Sequence, residues 1–222
     1  MQTCSNRSTS TLLEHALRKR LLPAVVLEDV ELALPLGEAL LAGGLDVIEF
    51  TFRTAAAEEA IRRMVRHLPE MVVGAGTLLT VEQVARARDA GATFGMAPGL
   101  DADVVRKTQE CGLGMLPGVV TSSEISAALA LGCKVLKFFP AEASGGVKAV
   151  EALSGAFCHV GARFVPTGGI HPQNMRSYLA LPSVAAVGGS WMVAKSLIAT
   201  KNWKQIETLA REAVALARAE QG

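Results

Sequence analysis

Short apolar runs alternate with amphipathic segments along the whole chain. Eight runs rich in β-branched and aliphatic residues recur at intervals of 20 to 29 residues. They begin at Pro23, Asp46, Met71, Thr93, Gly114, Lys134, Arg163 and Val184. Between them, apolar residues recur at helical spacing, most clearly over residues 31–42, 55–67, 81–90, 102–110 and 123–131. The pattern predicts a strand followed by a helix, repeated eight times.

Capping residues support the predicted helix boundaries. Three segments match the sequence of a capping box: Thr11-x-x-Glu14, Thr80-x-x-Gln83 and Thr121-x-x-Glu124. Pro172 stands where the first residue of a helix is expected. A glycine, the usual residue at a helix C-terminus, follows three of the segments at Gly91, Gly112 and Gly132. Two further helices are predicted, over residues 11–20 and 203–217.

Eight strand–helix units favour a closed barrel. Parallel strands need right-handed crossovers, and eight units in about 200 residues lie near the lower size limit of the (β/α)8 fold. An open, doubly wound sheet is the alternative, but it usually carries a glycine-rich dinucleotide fingerprint after its first strand, and none follows Pro23. We therefore predict an α/β protein: one (β/α)8 TIM barrel over residues 1–222 with an extra N-terminal helix, residues 1–10 being flexible.

Composition excludes several classes of partner. The 22 Lys and Arg residues balance 21 Asp and Glu, giving a net charge of +1 and no basic excess for nucleic acid or an acidic membrane. The longest uncharged stretch, residues 177–194, is interrupted by Pro182 and Gly188, so we predict no membrane span. We expect neither nucleic acid nor membrane as a partner.

The cysteines and the first residues indicate the compartment. The four cysteines are far apart, and no Cys or His pair has metal-ligand spacing, so we predict no disulfide and no metal site. No cofactor is expected either. Residues 1–11 are polar and lack the apolar run of a secretory signal. A cytoplasmic location is expected.

Alternation along two strands places charged side chains inside the predicted barrel. In the run from Asp46, Glu49 shares a face with Val47, Thr51 and Arg53, while the large apolar residues take the other face. In the run from Lys134, the same alternation sends Lys137 inward and leaves Lys134 on the opposite face. Active sites of such barrels form where the strands end.

A lysine among aliphatic layers suggests covalent catalysis. Lost hydration disfavours the ammonium, so the free amine of Lys137 becomes available to form an imine with a ketone. Glu49 is then the nearby base that moves protons. The alternative is that Lys137 and Glu49 form only a structural ion pair, which is costly to bury.

Two further residues suit a substrate carboxylate. Arg53 follows Glu49 on the same face, and its guanidinium can bind a carboxylate through two hydrogen bonds; the alternative is an ion pair with Glu49. Thr77 follows a glycine-rich turn at which a ligand can approach the backbone.

Paired glycines end the last two predicted strands. The segments are PTGGI, residues 166–170, and VGGSW, residues 187–191. Exposed backbone N–H groups at the ends of strands seven and eight form the usual phosphate site of such barrels, although either pair alone would suit a plain turn. Together they predict a phosphorylated small-molecule ligand.

These motifs together resemble a known family. The strings GLDVIEFTFRT, VGAGTLLT, MAPG, PGVVTSSE, KFFPAE, PTGGI and VGGSW are similar, in order and spacing, to the 2-keto-3-deoxy-6-phosphogluconate aldolases and their 4-hydroxy-2-oxoglutarate aldolase relatives. The resemblance spans residues 22–192, and KFFPAE is its most specific part. Phe50, Phe52 and Val119-Val120 depart from the family's usual residues.

The resemblance implies a metal-independent class I aldolase that cleaves 2-keto-3-deoxy-6-phosphogluconate to pyruvate and glyceraldehyde 3-phosphate. It implies that Lys137 forms the imine and that Glu49 is the base. The other site residues it implies are Arg53 and Thr77 for the pyruvyl carboxylate, Pro98 and Phe139 as pocket walls, Thr167 beside the sugar hydroxyls, and Gly168, Gly169, Gly189 and Ser190 for phosphate. It also implies a homotrimer.

Other functions remain open from the sequence. A non-catalytic barrel that binds a phosphorylated metabolite would keep the glycine pairs without needing the lysine and glutamate. A phosphosugar isomerase or synthase of the same fold would use acid–base residues without an imine. Cleavage of 4-hydroxy-2-oxoglutarate and decarboxylation of oxaloacetate are expected side activities of an imine-forming site.

Overall fold

A computed structural model of the chain describes residues 13–218. The segment predicted to be flexible, residues 1–10, and the predicted capping residue Thr11 lie outside this range. The strands are β1 (Leu21–Val25), β2 (Val47–Thr51), β3 (Val72–Gly76), β4 (Phe94–Met96), β5 (Gly114–Leu116), β6 (Gly118–Val119), β7 (Val135–Phe138), β8 (Arg163–Pro166) and β9 (Val187–Gly189). Each of the eight predicted strand positions contains at least one of them.

Helices follow most of the strands. The first, α1, is described over residues 13–17. The others are α2 (Ala33–Ala42), α3 (Ala56–His67), α4 (Val81–Asp89), α5 (Ala102–Glu110), α6 (Ser122–Ala130), α7 (Gly146–Phe157), α8 (Met175–Leu179), α9 (Lys195–Ala199) and α10 (Trp203–Arg218). Short 3₁₀ turns cover Val30–Leu32, Glu142–Ser144, Cys158–Val160 and Trp191–Val193.

The strands form a curled parallel sheet of the TIM-barrel type. Six of them pair in the order β5-β4-β3-β2-β1-β9 and three in the order β6-β7-β8. Every strand pairing between residues 13 and 218 is parallel. Isolated bridges from Phe164 to Val184 and from Thr167 to Gly188 connect β8 with the segment that leads into β9.

The fifth predicted strand is interrupted at Pro117. Proline has no N–H to donate, so the ladder breaks there and leaves β5 and β6 on either side. The Pro117 carbonyl still accepts a 2.9 Å hydrogen bond from the Lys137 N–H. The interruption therefore leaves β6 beside β7, the strand that carries Lys137.

Helix ends follow the capping residues, with one exception. Thr121 and Glu124 form a reciprocal capping box at the start of α6, whereas the Thr80 side chain accepts only from the Gln83 N–H. Gly91, Gly112 and Gly132 lie at positive φ two residues after their helices end. The expectation for Pro172 is wrong: α8 begins at Met175, and Pro172 lies in the turn before it.

The sheet is buried on both faces. All five residues of β2 and of β3 are buried. Phe50, Phe94, Phe138 and Phe164 are fully buried large side chains. The Arg86 guanidinium of α4 lies 5.8 Å from the centre of the Phe52 ring, which places Phe52 towards the helices. Phe50 and Phe52 lie on the helix side of β2, whereas Phe94 shares the interior face with Gly74 and Glu49, so large apolar residues fill both the helix layer and part of the interior.

No helix within residues 13–218 combines the length and apolar character needed to cross a membrane.

The capping box at α6 predicts a measurable stability difference. Thr121→Ala removes the acceptor for the Glu124 N–H, and we expect it to lower the free energy of unfolding by about 1 kcal/mol. Thr121→Ser keeps the hydroxyl and should lower the free energy of unfolding much less. Urea denaturation of the two variants beside the parent chain measures both values, and equal stability of the two would contradict the assignment.

Candidate active site

One cavity of about 250 Å³ opens at the carboxyl ends of the strands. Residues from β1, β2, β7 and β9 line it, together with the segments that follow β1, β2, β3, β4, β7, β8 and β9. It brings together all eleven residues singled out in the sequence: Glu49, Arg53, Thr77, Pro98, Lys137, Phe139, Thr167, Gly168, Gly169, Gly189 and Ser190. The carboxyl ends of parallel strands meet at one edge, which explains why residues so distant in sequence converge.

Lys137 and Glu49 face each other inside the cavity. Their side chains are 7% and 1% exposed, and the Lys137 Nζ lies 3.9 Å from the Glu49 Oε1. Neither carboxylate oxygen of Glu49 has a hydrogen-bond partner among the described residues. Lys134, in contrast, is exposed and lines a separate hollow at the opposite ends of the strands. The alternation inferred from the sequence therefore distinguishes the two lysines.

Burial changes the acidity of Glu49. Loss of hydration raises the pKa of this carboxyl above its ordinary value of 4.5, and the nearby Lys137 ammonium offsets part of the rise. The carboxyl group therefore exchanges a proton nearer to neutral pH than an exposed glutamate does. That is the property required of a group that both accepts and donates protons during a reaction.

Gly76 leaves the space that the Glu49 carboxylate occupies. The two residues lie on neighbouring strands, and a Cβ built on Gly76 would be 1.7 Å from the Glu49 Oε1. No side chain can occupy that position while Glu49 keeps its orientation. The glycine at the end of β3 thus positions the carboxylate without touching a ligand.

Arg53 and Thr77 stand at the mouth of the cavity. Arg53 is exposed, and no hydrogen bond or ion pair of its guanidinium with the described residues is observed, so the alternative pairing of Arg53 with Glu49 is not seen. Thr77 has a φ of +57°, a left-handed conformation that is strained for a non-glycine residue. Such strain is common where a side chain is held for function.

An aromatic ring flanks the amine. The Lys137 Nζ lies 5.2 Å from the centre of the Phe139 ring, within the range in which the face of a ring attracts a cation. Pro98 approaches from β4, where its carbonyl carbon and oxygen would lie within 2.3 Å of a Cβ on Gly118. These two residues give the cavity apolar walls beside the charged pair.

The glycine pairs line the other side of the cavity. Gly168 and Gly169 follow β8 at φ values of +97° and +79°, and Gly189 ends β9 just before Ser190. Thr167, which lies between β8 and the first pair, is buried. Backbone therefore forms much of this wall, and an anionic group can approach its N–H groups closely.

Four lining residues were not singled out as site residues: Ala24, Val26, Thr51 and Ile170. Thr51 lies between Glu49 and Arg53 on the same face of β2, and its hydroxyl donates a 2.9 Å hydrogen bond to the Val25 carbonyl. Alternation alone would have found it. Ala24, Val26 and Ile170 are apolar and carry no distinguishing sequence signal.

Metal-ligating groups are not clustered in the part of the chain that is described. No group of three or more His, Cys, Asp or Glu side chains between residues 13 and 218 has an arrangement that could hold a metal ion. The polar groups in the cavity are the amine, carboxylate, guanidinium, hydroxyl and backbone groups already named.

Comparison with known proteins identifies one family along most of the chain. A family model described as KDPG and KHG aldolase matches residues 13–209. The KHG/KDPG aldolase of Escherichia coli K12 is 46% identical over 192 residues, which are 86% of this chain and 89% of that protein. The 2-dehydro-3-deoxy-phosphogluconate aldolase of Haemophilus influenzae is 42% identical over 207 residues, 93% of this chain and 97% of that protein.

Two solved structures have the same fold. The KDPG aldolase of Legionella pneumophila, with pyruvate captured as a covalent carbinolamine intermediate, superposes with a TM-score of 0.83 at 40% identity, covering 86% of this chain and 92% of that one. The 2-keto-3-deoxy-6-phosphogluconate aldolase of Zymomonas mobilis with 3-phosphoglycerate gives a TM-score of 0.85 at 39% identity, covering 96% and 97%. By sequence and by fold, the chain belongs to the KDPG and KHG aldolase family.

Proposed function

We propose that the protein is a class I aldolase that cleaves 2-keto-3-deoxy-6-phosphogluconate to pyruvate and glyceraldehyde 3-phosphate through an imine on Lys137. The observation that carries this proposal is the buried Lys137 amine 3.9 Å from a buried Glu49 carboxylate without other partners. The Legionella relative was captured with pyruvate as a covalent carbinolamine, the intermediate that precedes the imine, and this supports covalent chemistry in the family.

The first half of the reaction forms the imine. The neutral Lys137 amine attacks the C2 ketone of the substrate, and Glu49 passes the proton that leaves the nitrogen to the ketone oxygen, which gives a carbinolamine. Glu49 then takes up a proton from solvent and donates it to the departing hydroxyl, so that water is released. The product is a protonated imine whose nitrogen withdraws electrons from the neighbouring carbon.

The second half breaks the carbon–carbon bond. Glu49 accepts the proton of the C4 hydroxyl while the C3–C4 electron pair moves into the protonated imine, which becomes an enamine. Glyceraldehyde 3-phosphate leaves as the aldehyde. Glu49 then returns a proton to C3, and water hydrolyses the resulting imine to free pyruvate and the Lys137 amine. The same carboxyl serves as base and acid, which suits its raised pKa.

The remaining residues orient the substrate. Arg53 and Thr77, beside Glu49 at the mouth of the cavity, are proposed to bind the C1 carboxylate, and the unpaired guanidinium of Arg53 supports this role. Pro98 and Phe139 enclose the pyruvyl carbons. Thr167 lies beside the sugar hydroxyls.

The phosphate is proposed to lie at the glycine pairs, on Gly168, Gly169, Gly189 and Ser190. Backbone N–H groups and a hydroxyl are suitable donors to an anion in a confined space. The Zymomonas relative was solved with 3-phosphoglycerate, a phosphorylated three-carbon acid, which supports a phosphate subsite in the family.

The finer architecture follows from the same reasoning. We infer one (β/α)8 barrel in which β5 and β6 are a single strand broken at Pro117, and in which α1 covers the amino ends of the strands. Contacts of His15 and Arg18 with the Asp46 carboxylate, at 3.3 and 3.2 Å, support the position of α1 just below β2.

Assembly and location are proposals as well. We propose a homotrimer, the assembly that the family resemblance implies; the exposed apolar side chains of Leu79 and Val160 are candidate interface residues. A cytoplasmic location is supported by the free thiols of Cys111, Cys133 and Cys158, which suit a reducing compartment.

The other two functions, a non-catalytic binding protein and a phosphosugar isomerase or synthase, do not explain why Lys137 and Glu49 are buried together. A barrel that only binds a phosphorylated metabolite has no use for a carboxylate buried at a cost beside an amine. A phosphosugar isomerase or synthase would use Glu49 but not the nucleophile. Cleavage of 4-hydroxy-2-oxoglutarate and decarboxylation of oxaloacetate remain proposed side activities, because both use the same imine.

Trapping with borohydride tests the imine. Reduction in the presence of pyruvate should leave a stable pyruvyl adduct on the peptide that contains Lys137, detected by peptide mass mapping. Lys137→Arg should abolish the adduct and the activity, because the guanidinium is a poor nucleophile. The matched variant Lys134→Arg should retain both. An adduct confined to Lys134, or no adduct at all, would remove the proposed mechanism.

The pH profile tests Glu49. At saturating substrate, kcat should fall as the pH drops through the pKa of Glu49, which lies above 4.5 because of burial, since only the carboxylate can accept a proton. Glu49→Gln should lower kcat about 10²- to 10⁴-fold and remove this acid limb. Glu151→Gln, on the exposed side of α7, is the control. An unchanged profile in Glu49→Gln would show that another group is the base.

Substrate comparison tests the phosphate site. We expect kcat/KM for 2-keto-3-deoxy-6-phosphogluconate to exceed that for the unphosphorylated acid about 100-fold or more, given several charge-assisted hydrogen bonds. Ser190→Ala should narrow the ratio by removing one donor. A ratio near one in the parent chain would contradict the phosphate assignment and leave the imine chemistry untouched.

A further inference from the structure

Three successive carbonyl groups after β8 are held by groups that do not line the cavity. The Thr167 carbonyl accepts from the Ala141 N–H at 2.8 Å, and the Gly168 carbonyl accepts from the Glu142 N–H at 3.1 Å. The Gly169 carbonyl accepts from the Asn174 Nδ2 at 2.9 Å. All three oxygens are therefore fixed by groups that lie outside the cavity lining.

Because peptide groups are planar, the direction of each carbonyl also fixes the direction of the N–H group that follows it. In a trans peptide the C=O and the following N–H point in opposite directions. The carbonyls of Gly168 and Gly169 therefore turn the N–H groups of Gly169 and Ile170 to the other side of the loop. The Gly168 N–H, in contrast, faces the Gly188 carbonyl in the bridge between Thr167 and Gly188. Gly169 and Ile170 both line the cavity, and neither of their N–H groups donates a hydrogen bond within the described residues.

The third peptide differs from the first two in what holds it. Backbone N–H groups hold the carbonyls of Thr167 and Gly168, whereas a side chain, Asn174, holds that of Gly169. The Asn174 Oδ1 accepts a 2.8 Å hydrogen bond from the His171 N–H, which leaves its NH₂ group to face the Gly169 carbonyl. The amide is thus fixed in one orientation by its own turn.

The peptide between Gly169 and Ile170 needs such a restraint. Gly169 lies at a φ of +79°, and glycine rotates more freely than other residues. If this peptide turned over, the Gly169 carbonyl would present negative charge to an anion where a donor now stands. Packing limits the loop further, because a Cβ on Gly169 would be 2.6 Å from the Glu142 Cγ, and the Tyr178 hydroxyl donates to the Glu142 carboxylate.

We propose that Asn174 is a positioning residue that directs the Ile170 N–H at the phosphate group of the substrate, so that this loop supplies two consecutive donors, Gly169 and Ile170. Asn174 acts through the peptide and need not touch the ligand. The inference rests on the proposed function, specifically on a phosphate bound at this loop. It adds a donor, Ile170, that the glycine pattern in the sequence does not reveal.

Kinetics with paired substrates test the inference. Asn174→Ala should raise KM for 2-keto-3-deoxy-6-phosphogluconate about ten- to a hundredfold, the effect of one charge-assisted hydrogen bond, and leave kcat nearly unchanged. KM for the unphosphorylated acid should not change. Inorganic phosphate, used to inhibit cleavage of the unphosphorylated acid, should bind more weakly by a similar factor. Gln173→Ala, in the same turn, is the matched control and should behave as the parent chain.

A second variant separates the two arms of the side chain. Asn174→Asp keeps the acceptor for the His171 N–H but replaces the donor to Gly169 with a second acceptor and adds a negative charge, so it should weaken phosphate binding at least as much as Asn174→Ala does. Equal losses on both substrates, or an unchanged preference for the phosphorylated one, would overturn the role of Asn174. In either case the pyruvate adduct on Lys137 would still form; failure of that adduct would instead overturn the proposed function.

Discussion

The structure depends on keeping one amine and one carboxylate together where both are largely removed from solvent. Lys137 and Glu49 enter the curl from β7 and β2 and are nearly fully buried. Burying such a pair is costly, and removing either partner leaves an uncompensated charge. The surrounding apolar walls, the ring of Phe139 and the bare backbone of Gly76 maintain this arrangement. Burial of the pair lowers the stability of the fold and places a nucleophilic nitrogen beside a group that can accept and donate protons.

Much of this arrangement follows from sequence alone, because alternation in a strand is a strong constraint. Once β2 and β7 are placed, every second residue faces the interior, which distinguishes Lys137 from Lys134 and groups Glu49 with Arg53. Helix boundaries follow from the local chemistry of Thr121 and Glu124. The convergence of distant residues needs only the rule that parallel strands end on one side of a barrel.

What sequence does not give is the direction of individual peptide groups and the exact pairing of strands. Proline is typical of the first residue of a helix, but α8 begins three residues after Pro172, at Met175. The intervening turn is closed by a hydrogen bond from the His171 N–H to the Asn174 side chain. The break between β5 and β6 arises because Pro117 has no N–H to donate to a neighbouring strand, and the sequence does not show whether that N–H is needed for pairing. The left-handed backbone at Thr77 has no signature in its residue type, and the role proposed for Ile170 belongs to its backbone N–H, which no side-chain pattern reveals.

Gly76 illustrates how a residue without functional groups can be indispensable to chemistry. Any larger residue at this position must displace the Glu49 carboxylate, since even a methyl group would overlap its oxygen. A library of random variants scored by turnover would therefore rank this position with the nucleophile, whereas the same library scored by folded yield would rank it among ordinary strand residues. Residues of this kind are recognised only when abundance and catalysis are scored separately.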